Sequence, residues 1–220
     1  MNSILSLESI HQTYGEQVIF DNLNLSIQEK TITAILGKSG SGKSTLLQMM
    51  NGLVRPDSGK VTIFGNAIDY RRIEELRLKI GYAVQGAGLF PHLTIAKNIM
   101  LPGIISKRPI EFLTKRLTEL LERVNLPQEI QLKYPYELSG GEQQRVGLCR
   151  AVLLNPPLVL LDEAFSALDD ETKNEIHEQL LSIQKAEPRT IVLVTHNRQE
   201  AEKLADSVFQ IESKALNKLK

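Results

Sequence analysis

The run Gly37-Lys38-Ser39-Gly40-Ser41-Gly42-Lys43-Ser44 has the spacing G-x-x-x-x-G-K-[ST]. Its glycines let the backbone curl tightly enough to turn successive N–H groups inward, toward the oxygens of a phosphate. A helix opening at Ser44 adds the positive end of its dipole. Lys43 can reach the β- and γ-phosphates, and the Ser44 hydroxyl can ligate Mg²⁺. Thr45, one residue further into the helix, belongs to the same nucleotide-binding set.

Such a loop needs an acidic partner. Leu158-Val159-Leu160-Leu161 runs straight into Asp162 and Glu163, an apolar strand ending in two carboxylates in the Walker B arrangement. Asp162 would join the Mg²⁺ shell, and Glu163 would orient or deprotonate an attacking water. A parallel sheet gathers its ligands at the carboxyl ends of its strands, which favours this reading over a plain solvated turn. Together the two motifs predict a nucleotide hydrolase. No Asn-Lys-x-Asp run is present, which disfavours guanine nucleotides.

The elements that must hold these groups are legible in outline. Ile4–Ile10 alternates, and Leu23, Leu25 and Ile27 continue a period of two. Thr31–Leu36 is β-branched and nearly all apolar, as a strand buried on both faces should be. It leads into the glycine-rich turn, and the helix from Ser44 to Met50 is stopped by Gly52 and Pro56. From Ile110 the positions Leu113, Leu117, Leu120, Leu121 and Val124 follow helical spacing. A further helix spans Gly141 to Leu154, so a mostly helical lobe is expected at about 86–155. Beyond it, strand Leu158–Leu161, helix Glu171–Ile183, strand Thr190–Val194, helix Arg198–Leu204 and strand Ser207–Ile211 alternate, predicting a parallel α/β sheet. Lys214–Lys220 is expected to be a frayed end.

Composition narrows the function classes. Lys+Arg and Asp+Glu both number 26, a net charge of zero. That argues against nucleic-acid binding by bulk phosphate neutralisation, while a local basic groove stays open. No run approaches the roughly 18–20 apolar residues needed to cross a bilayer, and no secretory signal is visible at Met1-Asn2-Ser3-Ile4. The lone cysteine, Cys149, fits a reducing compartment and reads as a packing residue. A cytoplasmic protein is expected.

Leu138-Ser139-Gly140-Gly141-Glu142-Gln143-Gln144-Arg145 supplies a second anion site, because Ser139-Gly140-Gly141 opens a helix. Here the chain resembles the ATP-binding-cassette (ABC) ATPases, whose signature is LSGGQ followed by Q-x-R, with Glu142 a frequent variant. The remaining positions follow that family's order from Tyr14 to about Ile211. Tyr14 resembles the aromatic that stacks on adenine. Gln85, after the strand Ile80–Val84, resembles the Q-loop glutamine that touches Mg²⁺ or the attacking water. Ser166-Ala167-Leu168-Asp169 resembles the D-loop. His196, after Ile191–Thr195, resembles the H-loop histidine at the γ-phosphate, whereas His11, His92 and His177 read as structural or surface residues.

The resemblance implies an α/β fold, a P-loop NTPase core with N-terminal antiparallel β strands and an inserted helical lobe. The ATPase domain would span 2–212, with 213–220 a tail. ATP and Mg²⁺ are implied as ligands. A second cassette subunit is implied too, since the signature helix of one chain faces the γ-phosphate held by the other. Transmembrane permease subunits and a substrate-binding protein would complete a transporter, with this chain on the cytoplasmic face of the membrane and no nucleic-acid partner. Asp162-Glu163-Ala164-Phe165-Ser166-Ala167-Leu168-Asp169 lies closer to importers than to the D-E-P-T-G-N-L-D of export and lipoprotein-release cassettes. The alanine, with Ile80–Gln85 and Gly88-Leu89-Phe90-Pro91-His92-Leu93-Thr94, resembles osmoprotectant (glycine betaine, quaternary-amine) importers. Amino-acid importers, short export or lipoprotein-release cassettes, and cassettes acting on DNA or ribosomes stay open. A length of 220 residues implies one cassette without an appended pore or regulatory domain.

Overall fold

In the computed structural model, which describes residues 3–166 and 168–220, residues 3–67 build a four-stranded antiparallel sheet and one buried strand of a second sheet. Met1, Asn2 and the Ala167 of the D-loop stretch lie outside the described residues. β1 (Ser3–Tyr14) pairs with β2 (Gln17–Gln28) through a tight hairpin. β3 (Ile32–Leu36), buried at all its positions, belongs to the second sheet and feeds the glycine-rich turn and α1 (Lys43–Met50). β4 (Ser58–Ile63) then returns to the free edge of β1, and β5 (Asn66–Ala67) completes the order β2-β1-β4-β5. β1 runs four residues beyond the expected Ile10. Its pairing shifts register between Leu7 and Ile10 and again before Gln12, and Ser9 takes a positive φ of 51°. Such bulges break the alternation by which a strand is recognised.

After α2 (Ile73–Arg77) comes β6 (Ile80–Val84), the edge of a six-stranded sheet. The helical segment that follows holds α3 (Ile95–Ile105), α4 (Ile110–Arg123), 3₁₀ turns at Gln128–Leu132 and Pro135–Glu137, and α5 (Gly140–Val152). β7 (Leu158–Asp162), α6 (Asp170–Ala186), β8 (Thr190–Thr195), α7 (Arg198–Leu204) and β9 (Ser207–Glu212) restore the alternation. The strands β9, β3, β8, β7 and β6 are mutually parallel. The segment expected to fray is instead β10 (Ala215–Lys218), antiparallel to β9, with Lys214 accepting a hydrogen bond from the Asp21 N–H of β2. It covers the edge that β9 would otherwise leave unpaired.

Period two divides the interior into two cores. Leu158, Leu160, Val192 and Val194 face α1 and the antiparallel sheet. Val159, Leu161, Ile191 and Leu193 face the helices of the inserted segment and α6. The stripe Leu113, Leu117, Leu120, Leu121 and Val124 on α4 is buried in that second core, whereas Ile110, in the overhanging first turn, is exposed. Cys149 packs beneath α4, its Sγ 3.7 Å from the Leu120 carbonyl oxygen. Among the described residues no helix is long and apolar enough to cross a membrane.

Candidate functional site

β3 delivers the chain to a loop that folds around its own lysine. Gly42 has φ 95°, a left-handed turn natural to glycine, and a Cβ there would meet Ile19 and Phe20 of β2 at 2.6 and 2.8 Å. The Lys43 ammonium, 4% exposed, donates to the Lys38 carbonyl at 3.0 Å and lies 3.1 Å from Glu163 Oε1. The Ser41 hydroxyl is buried with no hydrogen-bond partner among the described residues. A buried cation and an unpaired hydroxyl in a glycine-rich turn fit a phosphate chain.

The register of β7 between β6 and β8 lifts Asp162 to the level of Val84 and Val194. Ser44 Oγ donates to Asp162 Oδ1 at 2.9 Å, so the two hard oxygens expected at the metal converge on one point. That donor set fits Mg²⁺, which takes few protein oxygens and keeps its water and phosphate ligands. Asp162 Oδ2 accepts from the Tyr82 hydroxyl at 3.1 Å. Burial, with Asp162 beside it, pushes the Tyr82 phenol well above its ordinary range, so it stays a proton donor. Glu163 leaves the strand with φ 46°, an uncommon conformation for a side-chain-bearing residue. This kink, fastened by the Ser166 hydroxyl donating to the Glu163 carbonyl, points the carboxylate at Lys43 and His196. His196 Nδ1 stands 3.8 Å from Glu163 Oε2.

Lys43, Ser44, Asp162, Glu163 and His196 thus meet at the carboxyl ends of β3, β7 and β8. Gln85 lies exposed one residue past the end of β6, in the turn beside them. Tyr14 is exposed at the tip of the β1–β2 hairpin, on the sheet whose Ile19 and Phe20 touch the loop. Ser139, Gly140 and Gly141 line a separate recess with Leu168, Asp169 and Thr172. Two of the expected nucleotide contacts are occupied within the chain. The Glu142 carboxylate accepts from the N–H and hydroxyl of Ser139, closing a capping box at α5. Asp169 caps α6, and the hydrogen bond from the Thr172 N–H holds its carboxyl below the usual range. Both carboxylates are thus engaged at the helix starts beside the recess.

Several supporting groups were beyond sequence reasoning. Tyr82 was read only as part of a strand. His177, read as structural or surface, is buried on α6 with Nε2 2.9 Å from Glu200 Oε1 and its ring edge-on to Phe165. Glu200 also accepts from the Thr195 hydroxyl, which in turn takes the Asn197 N–H at 3.0 Å. This network fastens the loop carrying His196. Arg150 of α5 donates to the carbonyls of Ala87 and Gly88, tying the turn after Gln85 to the signature helix. Apart from the local contacts of Thr195 with Asn197 and Glu200, these pairings bridge residues far apart in the chain.

A parallel sheet with a glycine-rich loop, a strand-end Asp-Glu pair and an inserted helical segment defines a P-loop nucleotide-binding cassette. The ABC transporter family profile matches residues 20–166, and the chain belongs to that family. It is 44% identical over 206 residues to the choline transport ATP-binding protein OpuBA of Bacillus subtilis, covering 93% of this chain and 54% of that protein. It therefore spans about half the length of that relative. It is 37% identical over 217 residues to the ergothioneine transport ATP-binding protein EgtV of Helicobacter pylori, covering 97% and 99% of the two chains. The dimeric post-hydrolysis structure of the ATP-binding cassette MJ0796 with ADP and Pi superposes with a TM-score of 0.87 at 33% identity, covering 98% of this chain and 99% of that one.

Proposed function

We propose that this chain is the ATP-hydrolysing subunit of an ABC importer for a quaternary-amine osmoprotectant, working as a dimer on the cytoplasmic face of the membrane. The convergence of Lys43, Ser44, Asp162, Glu163 and His196 carries the hydrolytic part of the reading. Lys43 exchanges Glu163 for the β,γ-phosphates, which frees the carboxylate to orient and deprotonate water. Mg²⁺ held at Ser44 and Asp162 supplies charge neutralisation at the phosphates. His196 stands beside Glu163, where it can contact the γ-phosphate, and Tyr14 can stack on the base. The recess at Ser139–Gly141 is remote from this chain's own loop in its contacts, so it suits the nucleotide of a second copy; the dimeric MJ0796 structure supports that arrangement.

Coupling to a permease would use the groove between α2, β6 and α3. It is lined by Leu78, Leu101, Pro102, Ile105 and Arg150, close to the turn at Gln85, and Leu78 and Ile105 are exposed. The relatives named for choline, glycine betaine and carnitine transport support the substrate class. The test is to purify the chain from detergent-solubilised native membranes and identify its companions while assaying Mg²⁺-dependent ATP hydrolysis. Permease and binding-protein subunits are expected; recovery with ribosomes or DNA alone would sink the reading.

A further inference from the structure

We propose that Tyr82 is a positioning residue for the Mg²⁺ site: its hydroxyl fixes the Asp162 carboxylate so that one oxygen is presented beside Ser44. The proposal rests on the nucleotide-site reading above. In the β6–β7 register Tyr82 pairs with Leu160, two residues short of Asp162. Its ring lies on the face shared with α1, packed against the core that contains Leu160, and its hydroxyl reaches along the strand to Asp162 Oδ2. The terminal torsion of an aspartate is broad, so the backbone alone does not set the plane of the carboxylate. Here each oxygen has its own partner, Ser44 Oγ on Oδ1 and Tyr82 Oη on Oδ2. If Ser44 and Asp162 were to hold a cation, the hydrogen bond between them would be given up while that from Tyr82 could remain. Tyr82 is then the contact that keeps Oδ1 aimed. A hydroxyl donor brings no positive charge, so it can orient the carboxylate without a salt bridge to it. Hydrogen-bond partners of metal ligands are commonly worth about ten- to hundred-fold in metal affinity.

Tyr82→Phe keeps the ring and removes only the hydroxyl. The experiment measures binding of a fluorescent ATP analogue to the purified chain in EDTA and across a Mg²⁺ titration. The expected result is unchanged binding in EDTA with a Mg²⁺ midpoint raised about ten-fold. A midpoint within about two-fold of the wild type overturns the proposal, as does an equal loss of binding in EDTA, which marks a packing role. If Tyr82→Phe does not fold, Tyr82→Leu, which keeps apolar bulk and also lacks a hydroxyl, is titrated in its place under the same criteria. Repeating the comparison in Asp162→Asn separates the routes: no further shift is expected there, and a persisting shift overturns action through Asp162. If the wild-type chain itself shows no Mg²⁺-dependent gain in binding, the nucleotide-site reading has failed instead.

Discussion

Lys43 Nζ lies 3.1 Å from Glu163 Oε1, so the cation of the phosphate loop and the carboxylate at the end of β7 neutralise each other. In the proposed mechanism neither could hold this partner and also do its part in hydrolysis. A phosphate chain that captured Lys43 would leave Glu163 facing His196, so binding itself would unmask the proposed base.

Glu163→Gln should leave ATP binding intact while slowing phosphate release about a hundred- to ten-thousand-fold, the range of a general base. An ATP-bound dimer should accumulate on a sizing column. Turnover at the wild-type rate would remove Glu163 from the chemistry.

Lys43→Ala removes a buried charge from the phosphate site and strands Glu163. ATP affinity should fall about ten- to hundred-fold, the worth of a hydrogen bond to a charged group. Equilibrium titration with labelled ATP checks this.

Gly42→Ala sets a methyl against Ile19 and Phe20 at a φ of 95°. Backbone strain and overpacking together should cost about 2–4 kcal/mol. A thermal melt should shift down by several degrees, and Ser41→Ala, which adds no bulk, should not reproduce the shift.

Glu187 joins the inserted helical segment to the core, pairing with Arg116 and Arg123 of α4 and with Arg189 just before β8. The hydrogen bonds from Arg116 hold its carboxyl below the ordinary value of 4.5. Its contribution is therefore complete above that ordinary value and disappears as pH falls through the lower, folded one. Glu187→Gln should melt about 3–6 °C lower at neutral pH, for a loss of about 1–2 kcal/mol. The gap from wild type should close as both are taken to strongly acid pH.

The chemistry-bearing residues were readable because phosphate chemistry demands fixed local spacing. Gly37 to Ser44 and Leu158 to Glu163 each carry their meaning within a few positions. The contacts that aim those groups bridge distant segments, Tyr82 to Asp162 and His177 to Glu200, and no local period records them. The same limit applied to the fold. Strands with two buried faces or clean alternation were visible, whereas the bulged end of β1 and the lysine-bearing β10 owe their pairing to neighbours. Glu142 and Asp169 show the same limit: their motifs were legible, whereas the bonding of their carboxylates to the helix starts was not.

Cys149, sealed beneath α4 with its thiol pushed up to about 12 by burial, is chemically quiet. The chain also contains no tryptophan. It thus has no indole emission and no accessible thiol among the described residues. Cysteines introduced at exposed Lys115 on α4 and Glu16 in the β1–β2 hairpin would take up a donor and an acceptor dye with no background from the native thiol. A tryptophan placed beside Gln85 would be the sole indole emitter. Both readouts would follow nucleotide-driven motion in real time without Cys149 having to be removed.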